Sequence, residues 1–117
     1  MARNAFVEPA TVRLELSEGD WIEVKREITY GEQLELQDES SPRSPVDNKT
    51  HFVYSNFQVA RMAICIVEWS FEDDNGQVEV TRDAIRALKR DIAEEFSDAL
   101  DKYEAEQIAS KNAVTPG

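Results

Sequence analysis

The sequence predicts a small α+β domain: an N-terminal β-hairpin packed with a mostly helical remainder of about four helices. Three observations predict it. Residues 11–26 alternate apolar and polar side chains about a glycine-containing turn. Two threonines, Thr29 and Thr81, each precede a helical pattern at a capping position. Residues 91–109 then carry apolar side chains at three- and four-residue spacing, with acids on the opposite face.

The hairpin comes first. Residues 1–10 read as a flexible lead-in, with Pro9 near its end. From Thr11 to Leu16, Val12, Leu14 and Leu16 share one face, and Thr11, Arg13 and Glu15 the other. Ser17-Glu18-Gly19-Asp20 forms a turn in which Gly19 can take a positive φ. Trp21–Arg26 resumes the alternation, with Ile22 and Val24 inward. Trp21 falls on the polar parity. An exposed tryptophan is a candidate partner anchor; the alternative is that it folds over the hairpin end or packs under a helix.

Thr29 and Glu32 have the spacing of a capping box, opening a short helix from Tyr30 to about Asp38. Residues 39–50, with two prolines and three serines, predict a mobile loop. An apolar helix is expected from about His51 to Glu68, with Ser55 and Gln58 as a second capping box. Phe57, Ala60, Ile64 and Val67 form its stripe, widened by Val59, Met62, Ala63 and Ile66, and Arg61 is its one charge from Gln58 to Val67. Such a helix is buried on several sides or supplies an oligomer contact. Trp69 and Phe71 then alternate with polar residues, and Asp73-Asp74-Asn75-Gly76 turns the chain into a small hairpin or irregular loop. Thr81 caps a helix over Arg82–Lys89, a break follows near Arg90, and Asp91–Ala109 forms the closing amphipathic helix. Its seam is Ile92, Phe96, Leu100 and Tyr103; Asp98 and Lys102 have the spacing of an ion pair. Residues 110–117 are expected to fray.

Composition narrows the function classes. At 117 residues the chain is one domain, large enough to bury a core without disulfides or metal. Its 24 acids and 13 bases give a formal charge of −11, which opposes nucleic-acid backbones and anionic membrane surfaces and suits a basic partner. Residues 1–54 and 91–117 each carry −5 and residues 55–90 only −1. That distribution predicts a buried central element flanked by solvated ones. No apolar run approaches the ~20 residues of a membrane span, and the start lacks a secretory signal, so a cytoplasmic protein is expected.

Residues with the usual chemistry of catalysis or metal binding are few and scattered. Cys65, the only cysteine, lies in the apolar run 63–67 and reads as a small core residue. His51, the only histidine, stands 14 residues away, so the grouped ligands of a zinc site are missing. Placing Gly76 sixth in a calcium loop puts Phe71 first and Arg82 twelfth, where oxygen ligands are required. Four scattered glycines make no phosphate-binding loop. The residues therefore predict no catalytic site, cofactor or metal.

One longer pattern remains. The segment LSEGDWIEVKREITYGEQ, a loop, an apolar helix running into CIVEWSFEDDNGQVEVTRDAIRAL, and a closing acidic helix follow in order over residues 11–105. Gly19-Asp20-Trp21-Ile22 leading to Lys25, Thr29–Glu32, Trp69-Ser70-Phe71, and Asn75-Gly76 followed by Val80-Thr81 and Ile85 carry the likeness. This order resembles the tail assembly chaperones of long-tailed, siphovirus-type bacteriophages. The resemblance implies a non-enzymatic factor that binds the tape measure protein, keeps its apolar helices soluble and assists tail tube assembly. It implies the tail tube protein as a second partner, the host cytoplasm as location and absence from the mature virion. Trp21, Ile92, Phe96, Leu100 and Tyr103 are the candidate partner-binding residues, ordinary core packing being the alternative for each. Two other readings stand beside it: a structural head–tail or tail-end component forming a ring, and an acidic mimic of nucleic acid that inhibits a host protein. Whether the chain forms a homo-oligomer is left open.

Overall fold

The computed structural model describes residues 3–114. Strands β1 (Thr11–Glu15), β2 (Trp21–Lys25) and β3 (Ile66–Trp69) form an antiparallel sheet in the order β1-β2-β3. Between β2 and β3 lie helices α1 (Tyr30–Ser40) and α2 (Tyr54–Cys65). A two-residue ribbon, β4 (Glu72–Asp73) and β5 (Gly76–Gln77), leads to a short α3 (Arg82–Arg86) and the long α4 (Arg90–Val114). The α+β architecture with an N-terminal hairpin and four helices is the one the sequence predicts.

The hairpin turn is a single 3-10 turn, with Glu18 and Gly19 both at positive φ. Ser17 ties it to α4: its backbone N–H and its hydroxyl donate to the two oxygens of Glu95, at 3.1 and 3.0 Å. Val12 opposite Val24 and Leu14 opposite Ile22 set the apolar face. The capping box of α1 is present in full, Thr29 Oγ1 accepting from Glu32 N–H and Glu32 accepting from Thr29 N–H. Thr81 Oγ1 likewise accepts from Ala84 N–H at 3.0 Å and starts α3.

The expected helix from His51 to Glu68 is shorter at both ends. Its cap is Val53, without a side-chain hydrogen bond, so Ser55 and Gln58 form no capping box. It stops at Cys65 because Ile66–Trp69 pairs with β2. The β-branched Ile66 and Val67 suit that pleated ladder better than a helix end. Ile66 opposes Val24, Glu68 opposes Glu23 and Trp69 opposes Ile22, which leaves Val67 as the extra residue of a bulge. The bulge lets Ile66 and Trp69, of opposite parity, face the same core, and it turns Val67 outward.

The main core gathers Ile22, Val24, Met62, Ile66, Trp69, Ile85, Phe96 and Leu100. At its centre the rings of Phe71 and Phe96 stack at 5.7 Å, with Trp69 tilted 6.0 Å from Phe96. Trp69 Nε1 donates to the Val78 carbonyl at 2.7 Å, so the buried indole keeps a polar partner. A second, smaller cluster holds α1 against α2 through Leu36, Ala60 and Ile64, with Ile28 and Phe57 beside it.

The segment expected to be a loop over 39–50 begins two residues later, at Ser41. Glu39 and Ser40 complete α1, and Ser40 Oγ donates to the Leu36 carbonyl at 2.6 Å. Arg43 and Thr50 then form an isolated antiparallel bridge, closed by Asn48 at φ 57° and by Ser44 N–H donating to the Lys49 carbonyl at 2.8 Å. Residues 1, 2 and 115–117 of the expected flexible ends lie outside the described residues.

Candidate partner-binding site

The sheet ends where β2 leaves it, and there the chain is not fully covered. α4 continues past the core, and its second half stands opposite residues 24–28. Between them lies a cavity of about 310 Å³. Val24, Leu100 and the half-buried Cys65 form its floor. Ile28 lines one wall, and Tyr103 and Ile108 the other. Ile108 borders this apolar depression and is 61% exposed. Two further depressions adjoin. One shares Arg26, Glu27 and Gln107 with the first and includes Phe6, which is 85% exposed. The other shares Lys25 and Glu27 with the first and includes the bulged Val67.

The α4 wall is fixed by one buried cation. Arg61 enters from α2 and is only 4% exposed. Its Nη1 donates to Asp101 Oδ1 at 2.5 Å, and its Nη2 to Ser97 Oγ at 3.0 Å. Ser97 Oγ in turn donates to Gln58 Oε1 at 3.1 Å. The Phe57 ring lies 5.2 Å from the guanidinium, and Arg61 Nε finds no hydrogen-bond partner among the described residues. Glu104 Oε2 lies 3.7 Å from Nη1 on the cavity side. Burial pushes the Glu104 carboxyl above its usual range; Arg61 opposes the rise and the Asp101 charge adds to it. Sequence reasoning missed Arg61, whose acceptor lies 40 residues away.

Across the cavity, Lys25 bonds Glu32 and joins β2 to α1. Partial burial raises the Glu32 carboxyl pKa, but the bonds from Lys25 and Thr29 outweigh it and hold the group below its ordinary 4.5. α1 is tied to α3 by Arg82, which reaches both Glu35 and Glu39. The Glu39 bond is the chief reason the Arg82 pKa is raised.

The five sequence candidates separate. Phe96 and Leu100 are core residues, almost fully covered in the folded chain. Phe96 faces the core alone, and Leu100 also meets the cavity floor. Ile92 packs partly against the same core. Tyr103 also touches the core and reaches the cavity wall. Trp21 stands on the outer sheet face, half-buried, with the Arg13 guanidinium 3.7 Å above its ring. No ion pair joins Asp98 to Lys102; an i, i+4 pair forms instead between Arg90 and Glu94, in the first turn of that helix.

His51 is exposed and bonds Asp47 within the loop, at 2.7 Å. Burial pushes the Cys65 thiol up to about 11, so it stays protonated and a poor nucleophile at neutral pH. Among the described residues no three His, Cys, Asp or Glu gather as a metal site, and no helix is long and apolar enough to cross a membrane. Comparison with protein-family models, with curated proteins and with solved structures returns no match.

Proposed function

We propose that this chain is a tail assembly chaperone of a long-tailed bacteriophage. It works without catalysis, covering an apolar helical segment of the tape measure protein and assisting assembly of the tail tube. The observation that carries the reading is the open apolar cavity walled by Ile28, Tyr103 and Ile108 on an otherwise strongly acidic chain. An amphipathic helix buries its apolar face in such a depression, and the charged exterior keeps the loaded complex in solution. The motif order over residues 11–105 supports the same reading. The partner is thus a helix-rich protein, and the site of action is the host cytoplasm before the virion is complete.

The test is removal of the protein from an infecting phage. The expected result is an insoluble tape measure protein and no tails. Normal tails in its absence overturn the reading. Mass spectrometry of purified virions separates it from a ring-forming structural component: the chaperone is expected to be missing, and a fixed copy number points to the component.

A further inference from the structure

Helix α1 fits poorly on the body beneath it. Its 11 residues carry four carboxylates and no base. Its two leucines, Leu34 and Leu36, are two positions apart and cannot share a helical face. Leu36 is buried, and Leu34 is 40% exposed. A single leucine of α1 therefore seats the helix, against Ala60 and Ile64 of α2. A helix this short is marginal on its own in water. The remaining hold is largely electrostatic. Glu32 pairs with Lys25 of β2, and Glu35 and Glu39 pair with Arg82 at the start of α3. The side chains in these pairs are 25–52% exposed, so each pair contributes what a surface ion pair does.

α2 does not need that cover to stay in place. Phe57, Ala60 and Ile64 form its stripe on the α1 side. Val59, Met62 and Ala63, on the opposite side of the helix, pack in the main core. Arg61 adds its bonds to Ser97 and Asp101 of α4. The segments flanking α1, residues 26–29 and 41–53, belong to no helix and lie outside the three-stranded sheet. Rotation of their backbone moves α1 without breaking a neighbouring element. Lifting does break the bond from Val53 N–H to the Ser40 carbonyl, at the helix end, where water replaces it.

We propose that α1 is a releasable cover: it lifts from α2 as a unit while α2 stays docked on the main core, and so uncovers the apolar stripe of Phe57, Ala60 and Ile64. The clamps on Lys25 and Arg82 set how often it lifts. None of the three stripe residues lines the cavity of the chaperone reading, so the proposal stands or falls without that reading.

Thiol labelling on the stripe tests it. Ala60 is fully buried, so in the full chain with Cys65→Ser, an Ala60→Cys variant reacts with a disulfide reagent only when its cover opens. The labelling rate is expected to change little with urea at low concentration, because lifting α1 exposes far less surface than global unfolding. Adding Arg82→Gln removes the pairs to Glu35 and Glu39 and is expected to quicken labelling by about fivefold, the effect of two surface pairs. Arg90→Gln removes the exposed Arg90–Glu94 pair elsewhere and is expected to leave the rate unchanged. Amide exchange of the wild-type chain gives a second reading without any substitution. The α1 amides are expected to exchange together, ahead of the α2 amides, which keep their protection. Labelling with the full urea slope of global unfolding overturns the proposal. So does a rate indifferent to Arg82→Gln, or α1 and α2 amides that exchange together.

Discussion

The two apolar clusters are built on different terms. The main one closes three strands, α2, α3 and α4 around Trp69, Phe71 and Phe96. The smaller one has only Leu36, Ala60 and Ile64 buried between α1 and α2. Polar clamps compensate for its thin packing: the Thr29–Glu32 box, Lys25 to Glu32, and Arg82 to Glu35 and Glu39. The contrast teaches that apolar burial sets global stability, while charge and capping decide where α1 rests.

Truncating each cluster is the strongest way to break that contrast. Phe96→Ala is expected to cost about 4 kcal/mol and Leu36→Ala about 2, read as urea midpoints, because a wide aromatic centre collapses less completely than a two-helix seam. Equal losses would mean a single cooperative core. Arg61→Ala comes next. Its partner Asp101 is 62% exposed, so a loss of about 2 kcal/mol is expected, below the range for fully buried pairs. Arg61→Met keeps the packing and is expected to recover most of that loss; failure to do so would assign α4 docking to the charge itself.

Thr29→Ala sharpens the comparison at about 1 kcal/mol. Amide exchange is expected to quicken in α1 and stay unchanged in the β3 and α4 amides; faster exchange everywhere would contradict a separable α1. The smallest effects come from two carboxylates of opposite sign. Glu32 has a depressed pKa when folded, so its contribution is present above its ordinary 4.5 and fades as pH falls through the lower folded value. Glu104 has a raised pKa, so its contribution is present in acid and fades as pH rises through the folded value. Glu32→Gln is expected to reduce stability at pH 7 and Glu104→Gln to increase it, each by less than about 1 kcal/mol given their exposure. Thermal melts between pH 3 and 7 check the signs.

What was legible in the sequence was local. The hairpin, both threonine caps and the start of α4 rest on residues within a few positions of one another; α4 itself runs to Val114, five residues beyond its expected end at Ala109. The end of α2 was not legible, because the apolar run 62–67 fits either period and only pairing with β2 decides it. Arg61 read as the one charge on an apolar helix; its burial depends on Ser97 and Asp101, 36 and 40 residues on. Of the candidate site, only Leu100 and Tyr103 were legible. Phe96 shares their seam, and no single sequence shows where a helix leaves its own core. Ile28 and Ile108 lie 80 positions apart and are brought together only by the fold.

The extra residue at position 67 has a protective consequence. β3 is an edge strand, and a flat edge invites hydrogen-bonded growth by a neighbouring chain. The bulge breaks the regular spacing of donors and acceptors that such growth copies. Deleting Val67 restores the spacing, and faster thioflavin-positive fibril formation is the expected result.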